Sequence, residues 1–155
     1  MEHHTPTNKL PANSIEVVQT FERSEEVAQL ILEASKSSEI VVGADCEGIL
    51  RGRPLCLIQI YFDGCTYIFD LLEFNPFRGQ LREVLESTTI IKVFHDFCED
   101  AASLINHYGV KAERVFDTQI AHRVLANCLN PTKLTENNSI SLNRLLKTHL
   151  ELSNE

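Results

Sequence analysis

The sequence predicts an α/β domain with a mixed central sheet flanked by helices. Stretches rich in β-branched and aromatic residues alternate with stretches whose apolar residues recur at helical spacing. The β-rich runs at 55–62 and 66–69 flank Asp63-Gly64, a dipeptide typical of a hairpin turn. The resulting order of strands and helices, βα-βββ-αβα-αα, is that of a layered α/β fold.

The first elements place two carboxylates at the end of a buried strand. Residues 15–21 predict a strand, and apolar residues at helical spacing from Ser24 onward predict a helix. Residues 40–44 form a continuous apolar run, which is typical of a strand covered on both faces. We expect this strand to present Asp45 and Glu47 at its end.

The middle of the chain predicts a helix, a strand and a second helix. Pro76 precedes an amphipathic helical pattern, and the apolar run 90–94 predicts a buried strand. Asp96 and Glu99 have the spacing of a capping box, with Asp96 as the N-cap of the helix that follows. Gly109 is the expected left-handed residue at the end of that helix.

The last third predicts a short strand and two helices. Residues 115–116 predict the strand and residues 117–127 the first helix. A polar loop follows at 130–139. Leucines at helical spacing then predict a final helix near 142–150, which the end of the chain cuts short.

Composition and charge narrow the class of protein. The chain has 155 residues and a net charge of −8. Its five cysteines are odd in number and include no C-x-x-C pair, so we expect an intracellular setting, either cytoplasmic or nuclear. No apolar run reaches the roughly 20 residues of a membrane span. We expect residues 1–13, with the pair His3-His4, to be a flexible leader and residues 14–155 to form one domain. The acidic balance opposes a general basic surface for nucleic acid, although bound cations would invert the local field.

Three acidic residues carry the predicted chemistry. Asp45 and Glu47 are two positions apart on a strand and therefore point to the same face, where they can approach one metal site. Asp100 lies one turn inside the following helix and can reach across from the side. Phosphodiester hydrolysis by two metal ions needs several such hard oxygen ligands. The D-x-E pair alone is a weak signal, because it is also common at solvated strand ends.

Four segments of the chain together match the motifs of one known family. VVGADCEG (41–48) is followed by the core strand LCLIQI (55–60). KVFHDFCED (92–100) and VFDTQIAH (115–122) come later in the chain. In this order the segments resemble the first motif, the next core strand, the second motif and the F-D-T-Q segment of the ribonuclease D-like DEDD 3′–5′ exonucleases, most of all of the Egalitarian-type branch.

The resemblance implies a ribonuclease H-like fold and a 3′–5′ exonuclease that acts on the 3′ end of RNA or single-stranded DNA. It assigns Asp45, Glu47 and Asp100 as catalytic ligands of two Mg²⁺ or Mn²⁺ ions. The family's last motif, a Tyr or His four residues before a final metal-binding Asp, does not carry over. We therefore expect domain 14–155 to lack that C-terminal motif and its fourth carboxylate.

Several other polar residues are candidates for substrate contact or for a structural role. The candidates for substrate contact are Arg51, Arg53, Lys92 and Gln59. Gln59 is equally compatible with a buried amide bonded to backbone. His95 is a candidate for acid–base chemistry, but because it directly follows a buried strand we expect a satisfied structural histidine. Asp117 is expected to cap the next helix. The resemblance adds that Asp117 holds the active-site helix rather than a metal.

Two other interpretations stay open. The domain is alternatively an exonuclease-fold scaffold that binds RNA or protein partners in a ribonucleoprotein complex, which the acidic balance and the missing motif favour. A phosphotransfer receiver or a phosphatase would use Asp45 as its nucleophile. This last interpretation lacks the later Thr/Ser and Lys pair that such sites need.

Overall fold

The computed structural model describes residues 14–48, 53–129 and 139–152 of the chain. The strands are β1 (Ser14–Val18), β2 (Ile40–Gly48), β3 (Leu55–Phe62), β4 (Cys65–Asp70), β5 (Ile90–Phe94) and β6 (Val115–Asp117). The α-helices are α1 (Phe21–Ser37), α2 (Gln80–Glu86), α3 (Cys98–Ser103), α4 (Thr118–Leu129) and α5 (Leu142–Leu150). The predictions for the leader, for Arg51 and for the loop 130–138 lie outside the described residues.

The strands form one mixed sheet in the order β1-β4-β3-β2-β5-β6. β2, β3 and β4 pair antiparallel, whereas β1 pairs with β4, and β5 with β2 and β6, in parallel. Asp63 and Gly64 have φ angles of 47° and 84° at the turn between β3 and β4, as a tight hairpin requires. The predicted α/β fold with a mixed central sheet is confirmed.

Helices α1 and α2 cover one face of this sheet. Ile31 of α1 and Leu81 of α2 are fully buried in the core cluster. The side chain of Thr20 accepts a hydrogen bond from the backbone N–H of Arg23 at 3.2 Å, so α1 begins three residues before the predicted Ser24. Among the described residues, no helix is long and apolar enough to span a membrane.

The opposite face of the sheet is only partly covered within the described residues. Val41 is 57% exposed. Other exposed side chains on this face are Ile15, Val17, Tyr61 and Phe116. The prediction that strand 40–44 is covered on both faces is therefore wrong for this part of the chain. β2 also continues to Gly48, so the two carboxylates lie within the strand instead of following it.

Lys92 lies on the covered face of β5. Its side chain is fully buried, and its Nζ donates a hydrogen bond to the carbonyl oxygen of Ser87 at 2.6 Å. β5 lies between β2 and β6, so every second side chain of β5 points into the layer of α1 and α2. The predicted phosphate contact of Lys92 is contradicted, because its side chain has no exposed surface.

We expect the burial of Lys92 to make stability depend on alkaline pH. Burial lowers the pKa of Lys92 to about 8, so the unfolded chain binds more protons than the folded protein between about pH 8 and its ordinary value. Stability is therefore lost as pH falls from 10.5 to about 8. Relative to Lys92→Met, the wild-type protein should gain roughly 1–3 kcal/mol as pH rises from 8 to 10.5. Urea unfolding of both proteins measures this difference, and a constant difference would contradict the prediction.

The helical segment after β5 is held at its C-terminal end by Arg82 of α2. Its C-terminal end is a π-helical turn, Leu104–Tyr108, that Gly109 closes with a φ of 63°, as predicted. Arg82 of α2 donates hydrogen bonds to the carbonyl oxygens of Tyr108 at 2.7 Å and Gly109 at 2.8 Å. These bonds satisfy carbonyl groups that a helix end leaves without partners.

Candidate active site

The strand β2 presents Asp45 and Glu47 on the open face of the sheet. The buried Cys46 between them points to the covered face, as the alternation of a strand requires. Gln59 of β3 pairs directly with Asp45, so both side chains lie on the same face. Gln59, a candidate for substrate contact, therefore lies beside Asp45.

Asp117 positions the start of the helix that carries Asp100. The Asp117 carboxylate accepts hydrogen bonds from the backbone N–H groups of Asp96 at 3.1 Å and Phe97 at 2.9 Å. It also accepts hydrogen bonds from the N–H groups of Gln119 at 2.8 Å and Ile120 at 3.3 Å at the start of α4. One side chain thus caps α4 and fixes the entry to α3.

The capping role predicted for Asp96 is wrong. Asp96 has a φ of 61°, whereas an N-cap residue has extended backbone, and Phe97 occupies the N-cap position of α3. The acceptor comes instead from Asp117, 20 residues after Phe97. Burial alone would raise the pKa of Asp117, but its hydrogen bonds from backbone N–H groups outweigh burial and lower that pKa.

The three predicted carboxylates influence one another electrostatically. Burial, followed by the charges of Asp45 and Glu47, raises the pKa of Asp100 to about 7. Burial also raises the pKa of Asp45, against the opposing effects of the Cys46 backbone N–H and of His95. Repulsion between these acids shows that β2 and α3 bring negative charges to a common region.

We expect Asp100→Asn to stabilise the metal-free protein at neutral and higher pH. The raised pKa of Asp100 means that stability falls as pH rises from about 4 through about 7, where the folded protein must release a proton. The variant should be more stable than wild type by roughly 1–3 kcal/mol at pH 8, and the gain should shrink toward pH 4. Urea unfolding at the two pH values, with EDTA present, measures the effect. A variant less stable than wild type at pH 8 would refute it.

A crevice of about 510 Å³ opens beside Asp45 on the same face of the sheet. Its lining includes Gln59, Tyr61, Thr66, His95, Thr118 and Leu142. A cavity of about 550 Å³ between α1 and α2 contains none of the predicted site residues. Of the three predicted carboxylates, Asp45 is the one that lines the crevice.

His95 joins the crevice to the segment before α5. Its Nδ1 lies 2.8 Å from the hydroxyl oxygen of Thr118, and its Nε2 lies 2.9 Å from the carbonyl oxygen of Ile140. The backbone N–H of Ile140 donates to Oε1 of Gln119 at 3.1 Å. Both ring nitrogens of His95 therefore have partners, as expected of a structural histidine.

One further predicted residue lies at the surface, and two residues of the crevice were not predicted. Arg53 is exposed just before β3. Tyr61 was missed, although it follows Gln59 by two positions in β3 and strand alternation places both on one face. Leu142 was also missed, because it reaches the crevice from α5, which is distant in sequence from the strands that form it. No local pattern in the sequence signals that contact.

The donor chemistry of the carboxylates fits Mg²⁺ or Mn²⁺. Both ions prefer oxygen ligands, and a divalent cation would relieve the repulsion that raises the pKa of Asp100. Within the described ranges, however, no group of three His, Cys, Asp or Glu side chains forms a ready-made metal site. Asp45, Glu47 and Asp100 therefore share a region without closing around a common point.

Comparison with known proteins identifies the family. A family model described as 3′–5′ exonuclease matches residues 18–154. The mouse (Mus musculus) piRNA biogenesis protein EXD1 is 35% identical over 94 residues, covering 59% of this chain and 16% of the relative. EXD1 of Danio rerio is 31% identical over 134 residues, covering 85% of this chain and 35% of the relative. The chain thus spans only about a sixth to a third of the length of these relatives.

Solved structures show the same fold. Trypanosoma brucei RNase D in complex with RNA U12 has a TM-score of 0.72 at 23% identity, covering 92% of this chain and 48% of that one. The EXD2 exonuclease domain soaked in Mg has a TM-score of 0.61 at 26% identity, covering 90% of this chain and 71% of that one. The fold is therefore the ribonuclease H-like fold of the RNase D exonuclease domains. The chain belongs to the ribonuclease D-like 3′–5′ exonuclease family.

Proposed function

We propose that the chain is a metal-dependent 3′–5′ exonuclease that hydrolyses phosphodiester bonds in RNA or single-stranded nucleic acid. The observation that carries the proposal is the placement of Asp45 and Glu47 on one open face of β2, beside a crevice that Asp45 lines. Membership of the exonuclease family supports the polarity of attack, and the RNA bound to T. brucei RNase D supports RNA as a substrate.

Each side chain has a defined part in this proposal. Asp45, Glu47 and Asp100 would hold Mg²⁺ or Mn²⁺. The bound ions would supply an activated water and stabilise the leaving oxygen. Gln59, next to Asp45, would hydrogen-bond the terminal nucleotide, and the exposed Arg53 would contact a phosphate. His95 would keep the crevice wall in place through Ile140.

The direct test is a comparison of end-labelled and end-blocked strands. We expect Mg²⁺ or Mn²⁺ to support stepwise release of mononucleotides from a free 3′ hydroxyl, and EDTA to stop it. A blocked 3′ end should protect the strand, whereas a blocked 5′ end should not. Internal cleavage, or release from the 5′ end, would overturn the proposal.

We expect Gln59→Ala to weaken substrate binding while leaving the ions in place. Loss of one hydrogen bond of roughly 1–1.5 kcal/mol should raise KM about five- to tenfold. Calorimetry should give the same Mn²⁺ affinity as wild type. Gln29→Ala removes the same amide from an exposed position on α1, away from the crevice, and should change neither quantity. An unchanged KM in Gln59→Ala would limit Gln59 to a structural role.

A scaffold function is the second candidate. It is favoured by the absence of a ready-made three-ligand site among the described residues and by the net charge of −8. A scaffold in a ribonucleoprotein complex would bind RNA or protein equally well with EDTA and with Mn²⁺, and would release no nucleotide. Calorimetric binding of Mn²⁺ accompanied by cleavage would exclude a purely structural role.

A further inference from the structure

A pair of histidines outside the crevice joins α4 to α5. His122 Nδ1 lies 3.0 Å from His149 Nε2, with the ring centroids 5.3 Å apart. The residues are 27 positions apart, so packing of the two helices, not local chain geometry, brings them together. His149 is exposed and His122 is partly exposed, so ions in solution can reach the pair.

The contact between His122 and His149 requires the two facing nitrogens to share one proton. In a neutral imidazole one nitrogen donates and the other accepts, so one ring donates here and the other offers a lone pair. A metal ion that replaces this proton gains two nitrogen ligands that already lie side by side. Neutral imidazole is also the form in which histidine binds metals.

The separation of the two nitrogens suits a common ion. Nitrogens roughly 2.0–2.1 Å from one ion are about 2.9 Å apart at a right angle and about 3.4 Å apart at the tetrahedral angle. The observed 3.0 Å falls between these values. Each nitrogen would have to turn its lone pair by roughly 40° from the line between the two nitrogens to face one ion. The rings, whose planes meet at 75°, are carried on side chains that are exposed or partly exposed and can make this rotation.

We propose that His122 and His149 form a two-histidine site for a transition-metal ion of the Zn²⁺ or Cu²⁺ class. Imidazole nitrogens suit these ions, whereas Mg²⁺ and Mn²⁺ suit carboxylates, so the site is chemically distinct from the acidic crevice. Among residues 14–48, 53–129 and 139–152, no third His, Cys, Asp or Glu side chain completes a site. Water fills the remaining coordination positions, and the affinity is correspondingly modest.

The ion would hold α5 at its C-terminal end. Just before its N-terminal end, Ile140 is already hydrogen-bonded to Gln119 and His95. His149 lies in the last turn of α5, and the ion would fasten that turn to α4. Because Leu142 lines the crevice beside Asp45, metal binding would stabilise one wall of the crevice.

The test is a calorimetric titration of the full chain with Zn²⁺. We expect a binding step that is at least tenfold weaker in both His122→Gln and His149→Gln. His107→Gln and the leader variant H3Q/H4Q remove other histidines and should retain the step. Asp45→Asn should also retain it, which separates this site from the acidic crevice. An unchanged step in either variant of the pair, or its loss in a control, would overturn the proposal.

Thermal unfolding gives a second readout that does not depend on nuclease activity. Zn²⁺ should raise the Tm of wild type and of His107→Gln, and EDTA should reverse the rise. His122→Gln and His149→Gln should show no such rise while keeping wild-type circular dichroism without metal. Equal rises in all variants would place the ion elsewhere.

Discussion

Asp45→Asn is expected to lower the rate of 3′-end hydrolysis by on the order of 100-fold or more, the scale of losing one electrostatic stabiliser of a transition state. The amide keeps the size and the position on β2 but removes the negative charge that a divalent cation needs. Mn²⁺ affinity measured by calorimetry should fall in parallel. The pKa of Asp100 should also move toward its ordinary value, because Asp45 is one of the charges that raise it.

Glu83→Gln is the matched control for Asp45→Asn. Glu83 is an exposed carboxylate on α2, in the layer that covers the opposite face of the sheet. Its substitution changes net charge by the same amount and should leave hydrolysis and Mn²⁺ affinity unchanged. An Asp45→Asn protein that hydrolyses at the wild-type rate would remove Asp45 from the proposed mechanism.

The second large effect is expected for stability. Asp117→Ala removes the acceptor for the N–H groups of Asp96, Phe97, Gln119 and Ile120 at once. We expect a loss of roughly 2–4 kcal/mol in the free energy of unfolding, measured with urea at pH 7. Hydrolysis should fall as well, because Asp100 lies three residues after Phe97. Asp117→Asn keeps one acceptor oxygen and should lose less.

Asp70 provides the comparison for Asp117. Its carboxylate accepts a backbone N–H from Leu72 and a side-chain N–H from Gln19, away from α3. Asp70→Ala should therefore cost less stability and leave the metal affinity of the folded protein unchanged. Equal losses in both alanine variants would show that Asp117 has no special part in placing α3.

The stability that Asp117 contributes depends on pH. Because the pKa of Asp117 is lowered in the folded protein, this stability is present at pH values above the ordinary pKa and is lost as pH falls through the folded pKa.

Local patterns predict much of the fold because each depends on residues close in sequence. The strand 90–94 and the turn at Asp63-Gly64 follow from apolar runs and from turn chemistry, and the structure confirms both. Gly109 was predicted from its conformational freedom at a helix end and has the expected positive φ. The shared face of Asp45 and Glu47 follows directly from strand geometry.

The wrong predictions concern features that are determined by residues distant in sequence. Asp96 has the spacing of an N-cap, but Asp117 reaches the same N–H groups from another strand. Lys92 looks like a surface cation because sequence alone does not show that β6 and α2 enclose it. Val41 was expected to be buried, but apolar content alone does not show whether a second layer packs on it. Leu142 reaches the crevice, and Ile140 reaches His95, only through tertiary packing.

The described residues leave one face of the sheet partly uncovered, and we expect this to make the colloidal behaviour of the protein sensitive to salt. Val41 and Phe116 expose apolar surface on a chain with a net charge of −8. At 0.1 M ionic strength repulsion between molecules acts over about 10 Å, which keeps such faces apart. At 1 M the range falls to about 3 Å, so apolar faces can meet before repulsion intervenes. The negative charge that disfavours general adhesion to nucleic acid therefore also opposes self-association in dilute salt.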